Sequence, residues 1–188
     1  MGKPIEEIAT LAANWWAYAL MNPKFDNGDT SFRGLACQTM ARKMTKEVSE
    51  YGKAKFVEYL AKEIVNKLEQ GKCQVLHVDY GPDMVLSAAA VSAGVSTSNF
   101  PWKTTMWISK NQVHVMSGYT GALVALYANK THYRQQIREC NRLRQQYNNG
   151  YLDYIEDPVK RQARLDEVTK ELEDRITDYT SALEMVEE

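Results

Sequence analysis

The run CQVLHVDYGPDMVLSAAAVSAG, residues 73–94, decides the fold. CQVLHVD (73–79) is a short β-prone stretch, and Tyr80-Gly81-Pro82-Asp83 ends it because glycine and proline forbid its continuation. MVLSAAAVSAG (84–94) is alanine-rich and closes on Gly94, which predicts a short helix packed closely on a sheet. Downstream, TTMWIS (104–109) and VHVMSG (113–118) flank Lys110-Asn111-Gln112, the pattern of two antiparallel strands joined by a tight turn. The order is therefore strand, helix, hairpin. YTGALVALY (119–127) is expected to form one more short helix, although its β-branched and aromatic residues argue the other way.

Upstream of this core the period is helical. Pro4 suits a first helical position, and Ile5, Ile8, Leu11, Ala12, Trp15, Trp16 and Leu20 recur on one face over residues 4–22. Trp15 and Trp16 point about 100° apart, so burying both requires a helix covered on a broad face, hence a central one. Turn formers gather from Asn22-Pro23 to Gly28-Asp29, and Ser31 is an N-cap for a second helix over about 32–44. Phe56, Leu60, Ile64 and Leu68 give a third helix over 53–70, stopped at Gly71.

From Lys130 onward polar residues surround a thin apolar stripe. Tyr133, Ile137, Cys140, Leu143 and Tyr147 line a first arm, Asn148-Asn149-Gly150 interrupts it, and Asp157-Pro158 starts a second. In the second arm Leu165, Val168, Leu172, Ile176, Tyr179, Leu183 and Val186 follow a near-heptad spacing. Lys130, Arg134, Arg138, Arg142 and Arg144 meet a single acid, Glu139, in the first arm, whereas residues 153–188 hold twelve acids and five bases. Antiparallel pairing of oppositely charged arms follows. The expected architecture is α+β: a helical N-terminal part, a small mostly antiparallel sheet with a short packed helix, and a C-terminal antiparallel helical hairpin of coiled-coil type. Residues 1–128 would form the compact domain and 129–188 the extension.

The chain has 188 residues, room for one domain with an appendage and too few for a large multidomain enzyme. A net charge of −1 argues against generic polyanion binding, and no run of about 18 apolar residues suggests a membrane span. The opening MGKPIEEIA lacks the basic-then-apolar pattern of a signal peptide, and three widely spaced cysteines fit reduced thiols. A soluble, cytoplasmic protein is expected.

Catalytic signals are sparse. His77, His114 and His132 lack zinc-site spacing, and Asp26-Asn27-Gly28-Asp29 lacks the alternate acids and closing glutamate of a calcium loop, so no metal is expected and a capped turn is. No nucleophile elbow or phosphate loop occurs, so neither a catalytic residue nor a cofactor is assigned. Cys37 and Cys73 read as core thiols. Asp79 and Asp83 bracket a turn that their own side chains would stabilise, with Trp102 and Lys103 on a following loop. An aromatic beside a base stacks on a nucleobase or anchors a protein; the plain alternative is that Trp102 plugs the sheet edge. Arg134, Arg138 and Arg142, four residues apart with Arg144 to the side, form a ridge able to follow a phosphate backbone or to pair with the acidic arm, the latter favoured because the matching acids lie in the same chain.

The run VDYGPDMVLSAAAVSAGVSTSNFPWKTTMWI (78–108), continued by VHVMSGYTGALVALYA (113–128), together with WWA (15–17) and FDNGD (25–29), resembles a family of small proteins of prophages and mobile elements in gut Firmicutes. That family includes a type II-A anti-CRISPR inhibitor. The resemblance implies a non-catalytic protein that binds the guide-loaded type II CRISPR nuclease in the host cytoplasm and keeps it from engaging or cutting target DNA. Candidate partner-binding residues are Tyr80, Asp83, Trp102, Lys103, Arg134, Arg138, Arg142 and Arg144. A nucleotide- or nucleic-acid-binding accessory protein of a mobile element, touching DNA or RNA, and a coiled-coil scaffold are the alternatives; the helical hairpin is expected to supply either a homodimer contact or the main partner surface.

Overall fold

A computed structural model of the chain describes residues 2–25, 28, 30–118 and 121–184, the side chains of Ala182 and Leu183 excepted. The described residues form helices and one four-stranded sheet, an α+β arrangement. The chain divides into two compact units, one running from Lys3 to Tyr127 and the other from Ala128 onward.

In the first unit α1 (Ile5–Met21) buries Ile8, Trp16 and Leu20 among five alanines. Those small residues let α3 (Glu50–Glu69) lie close, with Phe56, Leu60, Ile64 and Leu68 recurring every fourth residue on its buried face. Trp16 is fully buried and meets Trp15 edge-on at 5.2 Å, but Trp15 itself is only half-buried, so the expected broad cover stops short of it. Ser49 caps α3 by accepting from the Gly52 amide at 3.0 Å. Gly52 sits beneath α4 (Met84–Ala93): a Cβ there would stand 3.2 Å from the Ala93 carbonyl oxygen.

β1 (Gln74–Val78), β2 (Thr104–Ile108), β3 (Gln112–Ser117) and β4 (Leu123–Ala128) lie in sequence order across the sheet. β1–β2 and β2–β3 are antiparallel. Leu76, Val78, Met106, Ile108, Val113 and Val115 join the helices in one core. The β2–β3 turn is fixed by the Ser109 hydroxyl, which accepts from the amides of Asn111 and Gln112, each at 3.2 Å. On the opposite face Val75, Trp107 and His114 stand in register. His114 is buried there with Nε2 unpaired, and burial holds its pKa below the ordinary value.

Two expectations are corrected. Within residues 119–127, expected to be a helix, Leu123–Tyr127 belong to β4, because Leu-Val-Ala-Leu-Tyr can extend the sheet beyond β3 and Tyr127 then reaches the core; Tyr119 and Thr120 lie outside the described residues. Cys37 and Cys73 are exposed rather than buried. Cys37 lies on α2 (Phe32–Met44), which buries only Gly34 and Ala41, and Cys73 precedes β1. Ser31 caps α2 as expected, accepting from Gly34 at 3.2 Å. Of the Asp26–Asp29 turn only Gly28 is described, so its capping lies outside the described residues.

The second unit holds α5 (Lys130–Gln146), a distorted turn over 147–151 in which Gly150 takes φ 92°, and α6 (Pro158–Glu184). Asp157 caps α6, its carboxylate accepting from Val159 at 2.9 Å and Lys160 at 3.3 Å. Cys140, Val168 and Leu172 are buried together, flanked by Leu143, Tyr147, Ile176 and Tyr179. Tyr133 meets Tyr179 at 5.8 Å between ring centres, and Arg144 lies 3.7 Å from Glu173. The Leu183 side chain and Val186, both in the expected seam, lie outside the described residues. No helix among the described residues is long and apolar enough to cross a membrane.

Candidate partner-binding site

The turn that ends β1 and the loop that enters β2 meet at one corner of the sheet. Asp83 explains the turn. Its Oδ1 accepts from the Leu86 amide at 2.9 Å, capping α4, and its Oδ2 accepts from the His77 amide at 2.7 Å. The Asp83 amide donates to the His77 carbonyl at 3.0 Å, and Asp79 N donates to Gly81 O at 3.2 Å, so four residues reverse the chain and leave Tyr80 at the apex. The carboxylate of Asp83, a candidate for partner contact, is 12% exposed, accepts from the amides of His77 and Leu86 and lies 3.6 Å from His77 Nδ1, so it helps to hold the turn that carries Tyr80.

The facing loop is tied on by three backbone bonds: Trp102 N to Lys24 O at 3.0 Å, Lys103 N to Asp79 O at 3.0 Å and Gly118 N to Lys103 O at 2.9 Å. Among the described non-glycine residues Lys103 alone has positive φ, at 53°. A left-handed L-residue costs about 1–2 kcal/mol, which the surrounding bonds impose. That backbone carries the Lys103 ammonium back over the Tyr80 ring, 4.0 Å from its centre, and into an ion pair with Asp79.

The rings complete the corner. Trp102 stands edge-on between Phe25, at 5.3 Å, and Tyr80, at 5.4 Å. Phe25 is buried and backs the cluster, Trp102 is half-buried, and Tyr80 is 58% exposed. Beside it a shallow cavity of about 150 Å³ is walled by Trp15, Tyr18, Pro101 and Lys24. Another, of about 280 Å³ and bounded by His77, Asp79, Lys103 and Thr105, opens on the sheet face. Tyr80 and the adjacent pair Trp102-Lys103, well separated from it in sequence, are thus one cluster. Sequence reasoning missed Phe25, because an aromatic in a turn carries no signal until its loop is seen folded against Trp102, and Tyr18, an exposed ring near the end of α1 that walls the neighbouring cavity.

Lys103 is neutralised by Asp79, and among the described residues no group of three or more His, Cys, Asp or Glu side chains could hold a metal ion. No protein-family model matches the chain, and no curated protein matches it.

The arginines of α5 lie in the other unit. Arg134, Arg138 and Arg142 are exposed along one side of the helix. Arg142 grips Glu139 one turn back, at 2.8 and 2.5 Å, which holds the Glu139 carboxyl below the usual carboxylate range. Arg144 turns toward Glu173 of α6. The ridge is therefore divided: Arg144 reaches the acidic arm, and Arg142 satisfies its charge within α5.

Proposed function

We propose that this chain is a non-catalytic inhibitor of the anti-CRISPR kind. It acts on the guide-loaded type II CRISPR nuclease in the bacterial cytoplasm and blocks target DNA engagement or cleavage by covering a surface. The observation that carries the reading is the aromatic corner of Tyr80, Trp102 and Phe25 with Lys103 laid over Tyr80. Half-exposed tryptophan and tyrosine on a rigid support, with charge neutralised beside them, are what protein hot spots are made of. A strained lysine held by its neighbours presents these rings in one geometry, which lowers the entropy lost on binding.

The second unit serves in this reading as an antiparallel helical hairpin of coiled-coil type. The Tyr133–Tyr179 and Arg144–Glu173 contacts support that pairing. Its exposed Arg134 and Arg138 favour a contact with guide RNA or target DNA phosphates, Arg142 being engaged by Glu139. The same ridge supports the second reading, a nucleic-acid-binding accessory protein of a mobile element that needs no nuclease.

The test is cleavage of a target duplex by a guide-loaded type II nuclease with and without the protein, beside a gel shift of target binding. Wild type is expected to inhibit, and a Tyr80→Ala/Trp102→Ala variant with an unchanged circular dichroism spectrum to lose at least ten-fold in potency. Full cleavage at saturating wild-type protein ends the reading. Protein that shifts free DNA or RNA while leaving cleavage untouched establishes the second reading instead.

A further inference from the structure

We propose that α2 is a docking helix for a protein partner that offers an apolar groove rimmed by carboxylates. One flank of α2 borders the aromatic corner, Gln38 and Arg42 sharing a cavity of about 430 Å³ with Lys24 and Phe25, but the exposed ridge argued here does not depend on the function proposed above. Phe32, Ala36, Met40 and Met44 fall at i, i+4, i+8 and i+12, which makes one continuous ridge along the helix. Phe32 is 90% exposed, Met40 65% and Met44 62%, with Leu35, 53% exposed, on the flank. The helix turns only Gly34 and Ala41 inward. Thirteen residues are marginal as an isolated helix, so a helix with so small an inner face gains much of its order from what covers the outer one. Its C-terminal end is nevertheless held ready, because Ser98 Oγ donates to the Met44 carbonyl at 2.9 Å and Asn99 clasps Lys46.

Charge selects the occupant. Residues 30–46 carry Arg33, Arg42, Lys43 and Lys46 and no acid. A second copy of the chain fits poorly on two counts. Stacking α2 on α2 sets Arg33, Arg42 and Lys43 against their own copies, and the acidic stretch Asp166–Glu184 of α6 has no large apolar side chain among its strongly exposed described residues to receive the ridge. A nucleic-acid backbone would leave Phe32, Met40 and Met44 against phosphates. A lipid surface takes an apolar face whose bases are segregated on the opposite side, whereas Arg33 and Lys43 flank the ridge itself. An apolar groove with an acidic rim satisfies both sets, the ridge entering the groove while the bases meet the rim, and methionine adapts to its shape.

The probe is a designed two-helix peptide with a leucine-lined groove and a glutamate rim, with a lysine-rimmed twin as control, titrated against the full chain by calorimetry. The glutamate-rimmed probe is expected to bind at least ten-fold more tightly than the twin, and Phe32→Ser/Met40→Ser to weaken it at least ten-fold. Both replaced side chains are exposed, and an unchanged circular dichroism spectrum checks the fold. No binding, equal affinity for the two probes, or an unaffected variant overturns the proposal. So does binding to vesicles of phosphatidylglycerol and phosphatidylcholine that the same variant abolishes, which assigns the ridge to lipid. A wild-type dimer in sedimentation that the variant dissociates assigns it to self-association and overturns it equally.

Discussion

Replacing Asn99 with alanine is expected to remove three hydrogen bonds at once from the place where three helices are tied together. Asn99 is 2% exposed; its Nδ2 donates to the carbonyls of Leu20 at 3.3 Å and Lys46 at 2.6 Å, and its Oδ1 accepts from the Lys46 amide at 3.0 Å. Leu20 belongs to the last turn of α1, and Lys46 lies between α2 and α3. The bond to Leu20 is buried, so an unpaired carbonyl there costs about 1–3 kcal/mol, and the two at Lys46, part-exposed to water, about 0.5–1.5 kcal/mol each. Allowing for water reaching Lys46, Asn99→Ala should destabilise the first unit by about 2–4 kcal/mol, moving a urea midpoint by about 1–2 M without changing the slope. Asn99→Asp keeps the acceptor for the Lys46 amide but turns a carboxylate on two carbonyls, and should be at least as damaging at pH 7. Acidification, which returns a donor, should restore part of its loss. A loss below about 1 kcal/mol for alanine, or an aspartate variant as stable as wild type, would refute the idea that Asn99 fastens this junction.

Three further outcomes are expected. Gly121→Ala should destabilise the β3–β4 connection by about 1–3 kcal/mol in thermal melts, because a Cβ there overlaps the Ser117 carbonyl. Burial depresses the His114 pKa from 6.5, so the unfolded chain takes up a proton first on acidification. The stability contributed by a neutral His114 is thus whole above about pH 6.5 and is lost as pH falls toward the depressed folded value. His114→Leu should flatten the decline in stability expected below about pH 6.5 in denaturant titrations, and an unaltered decline would remove His114 as its source. A thiol reagent should label Cys37 and Cys73 in the native protein and reach Cys140 only after unfolding, as peptide mapping by mass spectrometry would report.

Local signals were legible in the sequence wherever backbone chemistry settles the matter. Ser31, Gly71, Gly94 and Asp157 mark helix ends by caps and by glycines able to take positive φ, and those helix ends lie at or beside where they were expected. β4 was misread because its composition fits either element and only β3 beside it decides. Cys37 was misread because helical spacing shows which residues share a face, not whether anything covers that face. At the candidate site Trp102 and Lys103 were visible as an aromatic beside a base, and the sequence already grouped them with Tyr80. The packing of Trp102 on Phe25 was not legible, since it depends on a left-handed lysine and a loop closed by backbone bonds. Asn99 gave no signal at all: its partners lie 53 and 79 positions away in the chain.

Each unit has a core of its own, and the indoles are distributed unevenly between them. Trp15, Trp16, Trp102 and Trp107 all precede Ala128, and no tryptophan follows it. Fluorescence at the red edge of excitation therefore watches the sheet-bearing part alone, while far-ultraviolet ellipticity sums over α5 and α6 as well. The thin apolar seam around Cys140 and Leu172 can dissolve while the indole spectrum stays native, so an ellipticity curve that falls before the emission shifts would be the sign of two separately melting pieces rather than of one ragged transition.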